Sequence, residues 1–122
     1  MPLIATDLDG TLLMSGSSQP HPDAVAAVHQ ALAAGIPVVF ATGRAPQDVV
    51  PIADLVGHRW WAVCCDGTVL VDLASMNVTK THPMSTDVLY ETVMRIRDNF
   101  PAAKFLVDRV RTGPVAIGEY GI

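Results

Sequence analysis

The sequence predicts an α/β fold built on parallel strands. Three features point there: an apolar strand at residues 3–8, an alternation of strand and helix patterns continuing to residue 65, and Gly or Pro at most junctions. With 122 residues, 50% of them apolar, the chain has room for one substantial core, and two full domains would be cramped.

Leu3 to Leu8 reads as the first strand, near-continuously apolar as strands covered on both faces tend to be. A loop rich in Gly and Ser, Leu13 to Gln19, follows. Pro22 suits the first turn of a helix, where its missing N–H is not needed, and Asp23 complements the positive end of the dipole. Val25, Val28, His29 and Leu32 then fall on one helical stripe, and Gly35 closes it. His29 on that stripe is a packing or surface histidine rather than a catalyst. Ile36 to Ala41 is the second strand, ended by Thr42-Gly43-Arg44. Pro46 opens a second helix whose Val49, Val50, Ala53 and Val56 face inward, and Gly57 stops it. Trp60 to Cys65 is the third strand, and strands and helices at this pitch imply right-handed crossovers.

Past Cys65 the alternation breaks. Asp66-Gly67-Thr68 is a turn, and Val69 to Leu73 is a candidate antiparallel return strand. Asp66 either makes the turn or approaches a site from the third strand end, and both readings stay open. Asn77 to Pro83 reads as a linker, Val88, Leu89, Thr92, Val93 and Ile96 as a helix, and Lys104 to Asp108 and Val115 to Glu119 as short strands. The change to α+β character divides the chain into residues 1–80 and the start of a second domain at 81–122.

Composition excludes several classes. Net charge is −4 and the Arg and Lys residues are scattered among acids, so no basic track for nucleic acid is expected. No apolar run approaches membrane-spanning length, and Asp7 is reached without a basic leader, so neither a membrane anchor nor a signal peptide is expected. Cys64 and Cys65 have no further cysteine to form a framework, which suits the cytoplasm and a role as small hydrophobes.

The chemistry-bearing segment is Asp7-Leu8-Asp9-Gly10-Thr11, at the mouth of the first strand. Side chains two apart on a strand share a face, so Asp7 and Asp9 are expected in one pocket. Like charges that close oppose each other unless a cation sits between them or one takes a proton. Both outcomes suit an anionic ester: one carboxylate as nucleophile and metal ligand, the other as general acid and base. At the neighbouring strand end, the Thr42 hydroxyl and the N–H groups around Gly43 can cradle phosphate oxygens, with Arg44 as a further contact. Carboxyl ends of parallel strands are where open α/β sheets bind ligands.

These residues resemble the haloacid dehalogenase-like hydrolase superfamily, and most closely its Cof-like branch of sugar-phosphate and nucleotide-type phosphatases. The resemblance rests on Asp7 to Leu13 and on Thr42-Gly43-Arg44, and it covers the whole chain. It implies a three-layer Rossmann-like parallel sheet, present here in part, with the start of an inserted α+β cap. It further implies attack on phosphorus by Asp7, acid–base work by Asp9, and phosphate binding by Gly10, Thr11, Thr42, Gly43 and Arg44. Mg2+ would be held by the Asp7 carboxylate and the Asp9 backbone carbonyl, and the substrate would be a small phosphorylated metabolite. Two features depart from the family pattern. Asp66-Gly67-Thr68 stands where the branch often has Asn-Gly-Ala, and the later Lys and third acidic motif are not recognisable, Lys80 and Lys104 being the available lysines. The chain is therefore expected to be the N-terminal portion of a longer phosphatase, inactive or weak by itself. Its first strand would be an edge, to be covered by a second copy or by a chain supplying the missing half. The alternatives are a phosphotransferase or mutase using the same aspartate, a phospho-accepting receiver module, and a non-catalytic protein of the same fold.

Overall fold

Period-two apolar stretches and helix punctuation place the elements close to where the sequence marks them. In the computed structural model, which describes residues 1–115, the order is β1 (Ile4–Thr6), α1 (Pro22–Ala33), β2 (Val38–Ala41), α2 (Pro46–Val56), β3 (Trp61–Cys64), β4 (Val69–Asp72), β5 (Asn77–Thr81), α3 (Thr86–Asn99) and β6 (Gly113–Pro114). α1 starts on Pro22, with His21 Nδ1 accepting from the Asp23 N–H at 3.2 Å. α2 starts on Pro46 and ends at Gly57, whose φ of 74° turns the chain left-handed and lets its N–H satisfy helix carbonyls.

The six strands form one sheet in sequence order. β1, β2 and β3 are parallel, as expected, and β4, β5 and β6 extend the sheet antiparallel. Pairing registers put Phe40 beside Ala62, Ala62 beside Val71, and Val71 beside Val78, so these four share a face and form a buried row across the sheet. Val28 of α1, Val49, Ile52, Ala53 and Val56 of α2, and Leu8, Leu12 and Leu13 pack with this row in the core. His29 Nε2 lies 2.8 Å from the Val56 carbonyl, so α1 and α2 are neighbours on one face, as right-handed crossovers between sequential strands require. His29 is thus a tie between helices, in keeping with its non-catalytic reading.

Two sequence expectations change here. Asn77–Thr81 is not a linker but strand β5, paired antiparallel with β4. Only Val78 on it is buried, and a strand wetted on one face does not advertise itself by composition. Lys104 to Asp108 has no regular structure, although Phe105 lies under the Arg97 guanidinium at 5.6 Å. Of the strand expected at Val115 to Glu119, only Val115 is described: it follows directly on β6, its N–H donating to the Met76 carbonyl at 2.8 Å, and residues 116–119 lie outside the described residues. β1 is the sheet edge, with Leu3 54% and Ile4 42% exposed. α3 contributes no buried residue, and Val88, Tyr90 and Ile96 on it and Phe100 just after it are exposed.

Candidate functional site

The site stands at the carboxyl ends of β1, β2 and β3. β1 stops at Thr6, two residues short of the expected strand, because the chain turns immediately. Asp7 Oδ1 accepts the Leu8 N–H at 2.7 Å, and the Leu8 carbonyl accepts from the Thr11 and Leu13 N–H groups at 3.2 and 2.8 Å. Leu8, fully buried, anchors this turn in the core. Gly10 adopts φ +76°, open only at strain to other residues. The alternation argument for Asp7 and Asp9 is thereby corrected: a turn, not strand pleating, sets their positions.

Asp9 instead reaches across to the end of β2. Arg44 Nε donates to Asp9 Oδ2 at 2.9 Å and Nη2 to Oδ1 at 2.7 Å, a bidentate fork, while Nη1 lies 3.5 Å from Ser18 Oγ. The hydrogen bond from Arg44 holds the Asp9 carboxyl below its ordinary range and raises the guanidinium in turn. Asp9 is therefore an anion in this arrangement, and it can serve as a proton donor only once Arg44 turns elsewhere. Arg44→Gln is expected to return the Asp9 titration toward its ordinary value of 3.8, as followed by carboxyl-carbon NMR. A folded pKa below the unfolded one stabilises the fold above pH 3.8, and that contribution is lost as pH falls through the depressed value. With the Asp9 side chain 56% exposed, the effect on stability should stay below about 1 kcal/mol.

Thr42, only 7% exposed, is the buried polar residue of the cluster. Its Oγ1 accepts the Arg44 N–H at 3.1 Å and its own N–H donates to the Val63 carbonyl at 2.9 Å, so the hydroxyl proton remains for a ligand oxygen. From the end of β3, the Cys65 N–H donates to the Arg44 carbonyl at 3.0 Å and the Asp66 N–H to the Thr42 carbonyl at 3.3 Å. Asp66 thus fills both roles left open by the sequence: it makes the turn and it borders the site. Cys65 and Asp66 hold φ of 50° and 54°, and such left-handed non-glycine residues carry strain of about 1–3 kcal/mol each. Ser18 and the Cys65 backbone were not singled out from sequence, since nothing in a serine of a polar loop or in a main-chain N–H marks it. Burial pushes the Cys64 thiol up to about 12 and raises Cys65 as well, so neither is poised as a thiolate, and both are unpaired.

Of the expected residues, Asp9, Thr42 and Arg44 are linked directly, with Gly43 between the last two. Asp7 is exposed at the mouth of β1 and Thr11 is exposed on the turn after it. No group of three or more His, Cys, Asp or Glu that could hold a metal occurs among the described residues. The Asp7 carboxylate and the Asp9 carbonyl are hard oxygen donors of the kind Mg2+ takes in ones and twos, keeping water elsewhere, so the donor set fits that ion. No helix among the described residues is long and apolar enough to cross a membrane.

Comparison with known proteins places the chain in a family. Residues 4–112 match the sequence profile of the haloacid dehalogenase-like hydrolases. The chain is 44% identical over 72 residues to the phosphatase YwpJ of Bacillus subtilis, covering 59% of this chain and 25% of that protein. It is 34% identical over 82 residues to the pyridoxal phosphate phosphatase YbhA of Escherichia coli, covering 67% of this chain and 30% of that protein. A haloacid dehalogenase-like hydrolase from B. subtilis of known structure superposes with a TM-score of 0.68 at 33% identity, covering 81% of this chain and 34% of that one. The chain spans between a quarter and about a third of the length of these relatives. With the profile matched over nearly all of its described residues, the chain belongs to the haloacid dehalogenase-like hydrolase family.

Proposed function

We propose that this chain is the N-terminal part of a Mg2+-dependent phosphomonoesterase that acts on a small phosphorylated metabolite through an aspartyl-phosphate on Asp7. The observation that carries the reading is the linked cluster of Asp9, Arg44 and Thr42 beside an exposed Asp7, at the strand ends of an α/β sheet. A carboxylate oxygen of Asp7 attacks phosphorus, the ester P–O bond breaks, and the departing oxygen takes a proton from Asp9. Water then attacks the phosphoryl group, its proton passes to Asp9, and phosphate leaves with Asp7 regenerated. The Thr42 hydroxyl donates to a phosphoryl oxygen. Arg44 is matched to phosphate as well as to carboxylate, so an incoming phosphoryl dianion competes for the guanidinium and releases Asp9 for its proton. Mg2+, held by the Asp7 carboxylate and the Asp9 carbonyl, would supply the charge neutralisation that two acids facing an anion require.

Unpaired adjacent cysteines suit a reducing cytoplasm. The test of substrate class is phosphate release by the full-length protein from sugar phosphates, nucleotides and cofactor phosphates, pyridoxal phosphate included because a relative acts on it. Turnover of at least one such metabolite is expected, and efficient action on a folded phosphoprotein would overturn the small-substrate reading. By itself the 122-residue chain should bind Mg2+ weakly in titration calorimetry, because its acids do not form a closed ligand set. Tight stoichiometric binding would show that the chain supplies more ligands than the Asp7 carboxylate and the Asp9 carbonyl.

The bare edge of β1, with Leu3 and Ile4 exposed, presents unpaired backbone groups to a further strand. In native mass spectrometry the 122-residue chain is expected to self-associate or to capture a separately expressed remainder of the protein. A sharp monomer peak with cooperative unfolding would contradict that expectation.

A further inference from the structure

Gly43 does not occupy its place for backbone freedom, since it is absent from the glycines with positive φ. Space is the reason. A Cβ built on Gly43 would stand 2.9 Å from Asp66 Oδ1, 3.5 Å from its Cγ and 3.7 Å from Oδ2, so the Asp66 carboxyl, Oδ1 foremost, occupies the space a side chain at residue 43 would need. On either side of that contact, the Asp66 N–H holds the Thr42 carbonyl at 3.3 Å and the Cys65 N–H holds the Arg44 carbonyl at 3.0 Å. The turn after β3 therefore grips Thr42-Gly43-Arg44 at three successive residues. The grip needs an unusual backbone, with φ of 50°, 54° and 96° at Cys65, Asp66 and Gly67, and Asp tolerates the left-handed region better than most residues. Thr42 and Arg44 meet through the Arg44 N–H, and Arg44 in turn fixes Asp9, so the grip reaches each of these residues.

We infer that Asp66 is a positioning residue whose carboxyl, packed on Gly43 by shape, sets the phosphate-binding turn and through Arg44 the orientation of Asp9. The inference rests on the phosphatase reading above. It differs from a role for Asp66 as a ligand to substrate, in which the charge of the side chain rather than its outline would matter.

The test uses full-length protein and inorganic phosphate as competitive inhibitor, with thermal melting to verify folding. Asp66→Ala is expected to weaken phosphate inhibition by about tenfold, equivalent to ~1.4 kcal/mol, with KM rising in parallel and kcat falling less. Asp66→Asn, which has the same outline and enters the left-handed region as readily, should restore wild-type inhibition. Gly43→Ala should weaken phosphate binding by pushing Asp66 away, and Gly43→Ala/Asp66→Ala should be no weaker than Asp66→Ala, because both changes act through the one contact. Unchanged inhibition in Asp66→Ala, equal weakening in Asp66→Asn, or a double variant in which the two single losses add would each overturn the inference. Should Gly43→Ala fail to fold, the comparison of Ala with Asn at residue 66 decides by itself. A wild-type protein that neither binds phosphate nor hydrolyses any phosphate ester would remove the phosphatase reading instead, an outcome distinct from the loss of the positioning role.

Discussion

Asp7→Asn in the full-length protein is expected to abolish phosphate release and phosphoenzyme formation while the fold remains in place. Asp7 is exposed, and its one hydrogen bond within the turn is accepted by Oδ1 from the Leu8 N–H at 2.7 Å. An Asn carbonyl oxygen keeps that bond, so the turn and the buried Leu8 beside it have no cause to move. What disappears is the second carboxylate oxygen, and with it the carboxylate nucleophile of the first step in the proposed scheme. Removing the nucleophile of a covalent mechanism lowers the rate by a factor on the order of 10^4–10^6. Acid quench followed by mass measurement of the intact chain would show the phosphorylated species in wild type and none in the variant. Near-wild-type turnover by Asp7→Asn would end the aspartyl-phosphate mechanism whatever the substrate.

The largest effect on folding is expected at Phe40. It sits on β2 at 1% exposure, in the row with Ala62, Val71 and Val78, and its ring meets His58 edge-on at 5.9 Å. His58 is itself tied back to β2, its Nε2 2.8 Å from the Val38 carbonyl. Phe40→Ala would open a cavity that neighbours Ala62 and Val71 are too short to fill, at a cost of about 3–5 kcal/mol. Domains of this kind are stable by about 5–15 kcal/mol, so the variant should have a much lower urea midpoint or be unfolded. Phe40→Leu keeps most of the volume and should lose far less. A Phe40→Ala protein with an unchanged midpoint would mean that the row is not the centre of the core.

Much of the fold was legible because its signals are local. Pro22, Pro46 and Gly57 mark helix ends through their own φ preferences, and the predicted interior of α2 is buried at Val49, Val50, Ala53 and Val56. β5 was not legible: in Asn77–Thr81 a single buried valine carries the inward face, and it is the partner strand β4 that makes the segment a strand. β1 erred in the other direction. Residues 3–8 look like one apolar run, yet the Asp7 side chain captures the Leu8 N–H and ends the strand at Thr6.

The candidate site divides along the same line. By itself the sequence determined the family: Asp7 and Asp9 around one glycine, and Thr42-Gly43-Arg44 after a strand, are short-range patterns that need no tertiary contact to be read, and the chemistry proposed for them rests on their residue types. Tertiary structure alone decided that Arg44 pairs with Asp9 across 35 positions, and that Asp66 stands against Gly43 across the gap between β2 and β3. Such contacts depend on strand order and on where each strand ends. Those follow from the packing of the whole sheet, and no local spacing encodes them.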